Sequence, residues 1–373
     1  MSTCRVALVK GDNRYENVAE TLRILKDRGD LLPELLSSRQ KVLIKPNFVV
    51  TDKPLAATHA DAVRAVLDLV REHYDGPLTI AEGPSTQPAA EGFRHYGYEA
   101  LARDYEARLF DLNHDEPVSV EVFDWRLRPL RLQMARSVVE SDFRISVGPP
   151  KTHDMVIVTL SLKNMIMGSL ISRFTWDGHS GKEAGSRETS NSKGALTKAL
   201  WRMIPGWVLQ MPPVEWMQFR ALSTLQPSDK MKMHQSHAVL NLNLAKLAPL
   251  VMPHLAVIDG FQAMEGNGPT QGTPVPLHLA LASMDALAAD TVATSLMGFD
   301  ADDIGYLHYC KEMGLGVGDL AAIELVGNTM IGECMHPFRP HDTYQRQRQW
   351  RLDPARVPPL GDAPTLIAGQ NLL

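Results

Sequence analysis

Two lysines and a histidine lie in one largely apolar stretch, residues 143–168. The stretch begins with a short apolar run that predicts a buried strand. Pro149-Pro150 ends that strand, because proline lacks a backbone donor and fits neither a helix interior nor a central strand. Lys151 and His153 follow in a predicted loop, and Lys163 comes after a second apolar run, at a predicted strand end or tight turn. These cations suit binding and proton transfer on an anionic molecule.

Polar residues also follow other predicted strands. The residues at or just beyond a predicted C-terminal strand end are Lys10, Lys45, Asn47, Glu82 and Lys151. Open α/β sheets bind ligands at that edge, where the loops open into a crevice. Five such residues favour a site there, although Lys10 by itself is expected to be solvated.

The cations make an anion the expected ligand. If Lys45, His59, Lys151 and Lys163 converge, each like-charged pair about 8 Å apart repels by roughly 2 kcal/mol at an effective dielectric constant of about 20. A carboxylate or phosphate between them removes that cost. The alternative is that the lysines are solvated or paired with acidic residues such as Glu82 and Asp259. We assign catalytic roles to His153, Lys151, Lys163 and His59, and substrate binding to Lys45, Asn47, Asn164 and Glu82.

Other polar residues are candidates for a metal ion or a cofactor. Asp259 and Glu265 flank a glycine-rich turn and could hold a divalent cation through oxygen. His237 forms a His-x-x-His pair with His234, which could bind a metal if the segment is helical, although buried histidines more often satisfy hydrogen bonds. Gly266 and Gly268 are a weak candidate for a cofactor cradle, and a tight turn is the alternative.

The elements that must position these residues alternate between strand and helix patterns. This predicts an α/β fold with a mostly parallel open sheet and helices on both faces. We divide the chain into a first α/β half (1–169), an insertion (170–236), a second α/β half (237–335) and a surface tail (336–373). Asp285 is expected to cap a helix that starts at Ala286.

The insertion is rich in tryptophan and methionine and is interrupted by prolines, so one long helix is excluded. Its exposed apolar faces are expected to pack against another surface, because large exposed apolar patches mark interaction sites. A mobile lid, or an interface with a second copy or a partner protein, is the favoured interpretation, and a peripheral membrane contact is the alternative. The residues that define this surface are Trp201, Trp207 and Trp216.

Composition narrows the function classes. The formal net charge of −5 argues against a general nucleic-acid binder. Cys4, Cys310 and Cys334 are three widely spaced cysteines, too few for an iron–sulfur cluster and unlike a disulfide framework. No segment reaches the roughly 20 apolar residues of a membrane span, and we expect a cytoplasmic protein.

The ordered motifs resemble the domain-of-unknown-function 362 family. The matching stretches are Lys45-Pro46-Asn47, Thr58-His59, Glu82-Gly83-Pro84, Lys151-Thr152-His153, 159–164 with Gly168, Asp259-Gly260, 265–269 with Gly272, and 283–290. Many members of that family carry a cysteine-rich ferredoxin-like module. This chain differs from those members, because its three cysteines cannot supply such a module. The resemblance implies no reaction, and a looser fold similarity links the pattern to the lactate-racemase-like group.

Two functions remain open from the sequence. The first is an enzyme of the oxidoreductase or isomerase type that moves a proton or hydride on a small carboxylate or phosphate. The second is a redox accessory protein that binds a metal or cofactor without its own iron–sulfur cluster. A membrane-peripheral structural protein is a third hypothesis.

Overall fold

The structure is a computed structural model that describes residues 4–31, 33–85, 87–172 and 228–360. Several of its strands are short apolar runs that end in a polar residue. The strands are β1 (Cys4–Lys10), β2 (Val42–Lys45), β3 (Leu78–Glu82), β4 (Ala107–Asp111), β5 (Pro117–Phe123), β6 (Pro129–Ala135), β7 (Phe143–Gly148), β8 (Lys151–His153), β9 (Ile157–Thr159), β10 (Leu255–Gly260), β11 (Ala263–Glu265), β12 (Thr273–Val275), β13 (Leu279–Ser283) and β14 (Ile323–Gly327). The helices are α1 (Arg14–Asp27), α2 (Pro33–Ser37), α3 (Ala60–His73), α4 (Ala89–His95), α5 (Tyr98–Asp104), α6 (Arg136–Val139), α7 (Ser161–Ser169), α8 (Asp229–Met233), α9 (His237–Val251), α10 (Ala286–Leu296), α11 (Gly305–Glu312), α12 (Ile331–Cys334) and α13 (Tyr344–Gln347).

The central sheet has eight strands in the order β14-β1-β13-β10-β7-β2-β3-β4. Five of its seven neighbouring pairs are parallel, and β13 runs antiparallel to both of its neighbours. The predicted α/β fold with a mostly parallel sheet is therefore confirmed. Strands from residues 1–169 and 237–335 share this one sheet, and β1 lies between two strands of the second half.

Helices cover both faces of the sheet, because successive strand side chains point to opposite sides. In β1, Val6 and Leu8 pack into the core beneath α9 and α10. Ala7 faces the other core, which contains apolar residues of α1 and α3. Helix α10 begins as expected, since the Asp285 carboxylate accepts a hydrogen bond of 2.9 Å from the Ala288 N–H.

A second sheet of four short strands, in the order β12-β11-β8-β9, follows the carboxyl end of β7. Lys151 and His153 belong to its strand β8, so the prediction that they lie in a loop is wrong. The proline pair does end β7, but the chain beyond it stays extended and pairs with β9 and β11. Lys163 lies in helix α7, not at a strand end or turn.

The described part of the tail is anchored by buried side chains. Trp350 is 1% exposed and donates a 2.7 Å hydrogen bond to the Asp303 carbonyl. Gln347 is fully buried and donates to the His153 carbonyl at 2.8 Å, which ties the tail to β8.

Trp201, Trp207 and Trp216, and with them the predicted lid or interface, lie outside the described residues. In the part of the chain that the structure describes, no helix is long and apolar enough to cross a bilayer.

Candidate functional site

A cleft opens at the carboxyl ends of β2 and β3, next to β7. The chain runs from β2 outward to β3 and β4, then returns to place β7 and β10 on the other side of β2. Such a reversal of strand order leaves a crevice between the diverging loops. The cleft has a volume of about 230 Å³, below the roughly 300–1,000 Å³ typical of drug-sized ligand pockets. Its size favours a small ligand.

The described residues that line the cleft combine cations, histidines, amides and methionines. They are Asn47, Phe48, Val49, Glu82, Gly83, Ser85, His153, Asp154, Met155, Thr159, Lys163, Asn164, Met167, Gly168, Lys230, Met231, His234 and Pro269.

A buried ion pair forms one wall. Lys45 and Glu82 are the last residues of β2 and β3, and Lys45 Nζ lies 2.7 Å from Glu82 Oε1. Lys45 is therefore paired with an acidic residue, Glu82, which was the alternative to an unpaired lysine in the sequence analysis. Nζ also donates to Asn164 Oδ1 at 3.0 Å, and that oxygen accepts from Asn47 Nδ2 at 2.8 Å. Burial lowers the pKa of Lys45, while Glu82 opposes the shift.

Glycine makes room for this ion pair. A Cβ built on Gly168 would overlap the Lys45 side chain, so only glycine fits at this position of α7. A Cβ on Gly83 would meet the Gly168 carbonyl and the Lys230 ammonium. The Lys45 side chain thus passes directly against the backbone of α7.

Lys151 lies beneath the cleft and is fully buried. Its Nζ donates to Asn47 Oδ1 and, at 2.7 Å, to the Ala56 carbonyl. Both of these acceptors are uncharged. Burial, together with the neighbouring charge of Lys163, holds the pKa of Lys151 well below its ordinary value.

Lys163 and Lys230 complete the cationic lining. The Lys163 residue is 7% exposed, and within the described ranges its Nζ has no hydrogen-bond or ion-pair partner. Burial lowers the pKa of Lys163 to about 8, with Asp154 opposing the shift. Lys230 Nζ donates to the Gly83 carbonyl, and burial likewise lowers its pKa to about 8. Around these lysines Glu82 is the buried carboxylate of the lining, whereas the Asp154 side chain is 52% exposed.

The two histidines of the cleft adopt opposite tautomers. His153 Nδ1 accepts a 3.0 Å hydrogen bond from the Met155 N–H, which leaves Nε2 to carry the proton. Asp154 Oδ1 lies 3.1 Å from the same nitrogen, but that exposed carboxylate can rotate into solvent, whereas the backbone N–H is fixed. We therefore assign Nδ1 as the acceptor. Burial, reinforced by Lys163, keeps the pKa of His153 well below its ordinary value, so the ring is neutral.

His234 has the reverse arrangement. Its Nδ1 lies 2.7 Å from the Lys230 carbonyl, and since a carbonyl only accepts, Nδ1 carries the proton and Nε2 keeps its lone pair. Burial lowers the pKa of His234, with Asp154 opposing the shift. One histidine of the cleft is thus a proton donor at Nε2 and the other is an acceptor.

Helix α7, which carries Lys163 and Asn164, is held from below by Asp290. The fully buried Asp290 carboxylate accepts hydrogen bonds from the Ser161 N–H at 2.8 Å and the Leu162 N–H at 2.9 Å. These are donors of the first turn of α7, which has no side-chain cap of its own. Burial raises the pKa of Asp290 to about 8, while the hydrogen bonds from the two N–H groups act to lower it.

Several predicted site residues lie elsewhere. The His59 side chain is 52% exposed beside Asp61 and is not part of the cleft lining. Asp259 pairs with Arg14 at 3.1 Å, and burial raises the pKa of Asp259. Glu265 accepts from the Arg339 N–H at 2.9 Å.

The candidate metal ligands do not converge. His237 Nδ1 lies 3.0 Å from the Met155 carbonyl, apart from the Asp259–Arg14 pair. Among the residues with described positions, no group of three or more His, Cys, Asp or Glu side chains could hold a metal ion. Neither candidate, Asp259 with Glu265 or His237 with His234, is therefore part of a group of three such side chains in the described residues.

The glycine turn packs against β8. Gly266 has a φ of 76°, and its N–H donates to the Arg339 carbonyl at 2.7 Å. The Gly268 N–H donates to the Gly266 carbonyl at 2.9 Å, and a Cβ on Gly268 would overlap the Thr152 carbonyl. Both amides are used within the chain, so the tight-turn alternative describes this loop.

Sequence reasoning missed Lys230, His234 and Asp290 as parts of the site. Lys230 falls in the predicted insertion, where its only signal is a short Lys–Met pattern after the capping Ser228. His234 was considered only together with His237. Asp290 had a clearer signal, because it is the one acidic residue inside the apolar helix α10.

Fold and site together define an α/β protein with a cation-lined cleft at the point where the strand order reverses. A family model described as "Domain of unknown function (DUF362)" matches residues 42–295. The chain belongs to this family, as the ordered motifs predicted.

One relative and one solved structure extend the comparison. A thylakoid-associated protein of Synechocystis sp. is 22% identical over 318 residues, covering 83% of this chain and 79% of that protein. The lactate racemase apoprotein from Thermoanaerobacterium thermosaccharolyticum is 15% identical with a TM-score of 0.33, covering 44% of this chain and 39% of that one. A similarity at this level does not define a shared fold or reaction.

Proposed function

We propose that this member of the domain-of-unknown-function 362 family is an enzyme that transfers a proton at a carbon next to the carboxylate, or next to the keto group, of a small organic acid. The observation that carries the proposal is the pair of histidines in opposite tautomers beside Lys163, a buried lysine without a described partner. A base and an acid in one cleft are the requirement for moving a proton on and off carbon.

The charges of the cleft support an acidic ligand. Lys163 and Lys230 are ammonium groups at neutral pH, since their pKa values of about 8 lie above 7. Lys45 is neutralised by Glu82. A carboxylate bound by Lys163 and Lys230 offsets the repulsion that each receives from Lys45 and makes charge-assisted hydrogen bonds. The same cations stabilise the negative charge that develops when a neighbouring C–H bond loses its proton.

The histidines would divide the proton transfer. His234 Nε2 accepts the proton from carbon, and the resulting imidazolium returns a proton to carbon. His153 Nε2–H donates a hydrogen bond to the oxygen on which negative charge develops, and keeps its proton. The methionines of the lining, Met155, Met167 and Met231, make the remaining wall apolar and adaptable. They favour an acid with a short apolar portion and limit access of water to the reacting carbon.

Deuterium exchange tests this function directly. A panel of small 2-hydroxy, 2-oxo and 2-amino acids is incubated with the protein in deuterated water. Exchange of the carbon-bound proton is followed by NMR, at carbon 2 of the hydroxy and amino acids and at carbon 3 of the oxo acids. We expect exchange with wild type, and its loss in His153→Gln and His234→Gln.

His114→Gln is the matched control, because the side chain of His114 is 77% exposed and is not part of the cleft lining. This variant should exchange like wild type. If the two cleft variants exchange as fast as His114→Gln, or if no acid of the panel exchanges with wild type, the proposed function is refuted.

A further inference from the structure

Lys163 differs from every other lysine near the cleft. Lys45 is bound to Glu82, Lys151 to Asn47 and Ala56, and Lys230 to the Gly83 carbonyl. Lys163 lines the same cleft and is 7% exposed, and its Nζ has no acceptor among the described residues. Of these four lysines, Lys163 is therefore the one whose ammonium has no partner within the described part of the chain.

This environment raises the fraction of neutral amine, although the ammonium stays the major form at pH 7. Burial is the largest cause that lowers the pKa of Lys163 to about 8, and the charge of Lys45 adds to it. Desolvation next to another cation is the arrangement that converts a lysine from a solvated ammonium into a nucleophile for carbonyl carbon. Helix α7, held by Asp290 at its first turn, fixes the backbone from which the amine extends.

We propose that Lys163 forms an imine with the carbonyl carbon of a small 2-oxo acid bound in the cleft. This inference rests on the proposed function, and it specifies the substrate class. Lys230 then remains the cation for the carboxylate, while the carbonyl carbon of the acid faces Lys163.

The step balances without an added oxidant or reductant. The Nζ electron pair forms the N–C bond while the C=O π pair moves to oxygen, which takes up a proton. The nitrogen then releases its second proton, the C–O bond breaks, and one molecule of water leaves. The two protons lost by the amine are the two gained by the departing oxygen, and His153 and His234 are the cleft groups that can relay them.

The imine also strengthens the proposed proton transfer. Its nitrogen withdraws electrons from the adjacent carbon more strongly when protonated than the original carbonyl does. The C–H bond of carbon 3, on the side of the imine carbon away from the carboxylate, is then a better acid, and His234 Nε2 is the base available to it.

Reductive trapping tests the inference. The full-length protein is incubated with pyruvate and sodium cyanoborohydride, and the modified residue is located by peptide mass mapping. We expect one reduced adduct, on Lys163. Lys163→Met should lose the adduct, and Lys163→Arg, which keeps a positive charge but cannot form the imine, should lose it too. Lys10→Met, at an exposed lysine, should keep it.

The outcomes separate this inference from the proposed function. An adduct on Lys230, or a label spread over exposed lysines and unchanged in Lys163→Met, overturns the imine. Binding of lactate, which has no keto group and so cannot form an imine, is measured in parallel by calorimetry. Lactate binding without trapping at Lys163 refutes the imine and leaves the anion site in place. Absence of lactate binding together with trapping confined to exposed lysines refutes both.

Discussion

Replacing Lys163 by methionine should make the ligand-free protein more stable while it removes the proposed activity. Lys163 is a buried residue, and folding strips water from its charge while no residue of the described ranges supplies a hydrogen bond in return. Methionine has a similar length and no charge, and methionines already line the same wall.

The size of the effect follows from the pKa of Lys163. Burial lowers it from an ordinary 10.5 to about 8. One pKa unit corresponds to about 1.36 kcal/mol, so the buried ammonium costs about 3 kcal/mol, as an order of magnitude, at pH 7. Below pH 8 both the folded and the unfolded chain hold the proton and the cost is complete. Between pH 8 and 10.5 the unfolded chain binds more protons than the folded one, so the cost disappears as pH rises.

Urea denaturation at pH 7, 8.5 and 10 measures this difference. We expect Lys163→Met to unfold at a higher urea concentration than wild type at pH 7, with a gap that narrows towards pH 10. Lys10→Met, at an exposed position, should match wild type at every pH. A variant that is less stable than wild type at pH 7, or a gap that does not change with pH, refutes the reasoning.

Three further predictions concern the support of the cleft and its charge. Asp290→Ala should lower the free energy of unfolding by about 3 kcal/mol, because two buried N–H groups of α7 lose their acceptor. Asp290→Asn should recover part of that free energy. Equal denaturation curves for Asp290→Ala and wild type contradict this role of Asp290. Gly268→Ala should destabilise by about 1–3 kcal/mol in thermal unfolding, because its methyl group would overlap the backbone of β8, whereas Gly332→Ala, with open space around it, should not. Binding of a small carboxylate, measured by calorimetry, should weaken by about tenfold or more per pH unit above pH 8 as Lys163 and Lys230 lose their protons, and a constant affinity up to pH 10 contradicts the ammonium anchors.

The sequence located the site best where a polar residue directly follows an apolar strand. Lys45 and Glu82 are such residues, and the parallel sheet brings their strand ends together. Their neighbour Asn47 was found by the same argument. The fold class was predictable for a related reason, since alternating strand and helix periods depend only on local sequence.

Pairings between distant parts of the chain were not predictable. Asp259 is paired with Arg14, 245 positions away, and no local pattern points to that partner. The position of Lys163 on a helix depends on the buried Asp290 that caps it from another element. His59 follows a motif residue but turns outward, because its ring accepts the N–H of Asp61 at the start of α3.

Other expectations stay predictions. These are the cytoplasmic location, the boundaries of the insertion, the tryptophan surface as a lid or interface, and the presence of a metal ion or cofactor. The catalytic and substrate-binding roles of the predicted residues also await the experiments above.

The position of β1 has a consequence for synthesis on the ribosome. Its two partners, β13 and β14, begin at Leu279 and Ile323, so β1 emerges long before either can pair with it. Bacterial and eukaryotic ribosomes add about 5–20 residues per second, which leaves this apolar strand without neighbours for on the order of ten seconds or more. Nascent chains arrested before Leu279 should consequently be bound by chaperones or aggregate. The chain should gain protease resistance when β14 emerges from the ribosome.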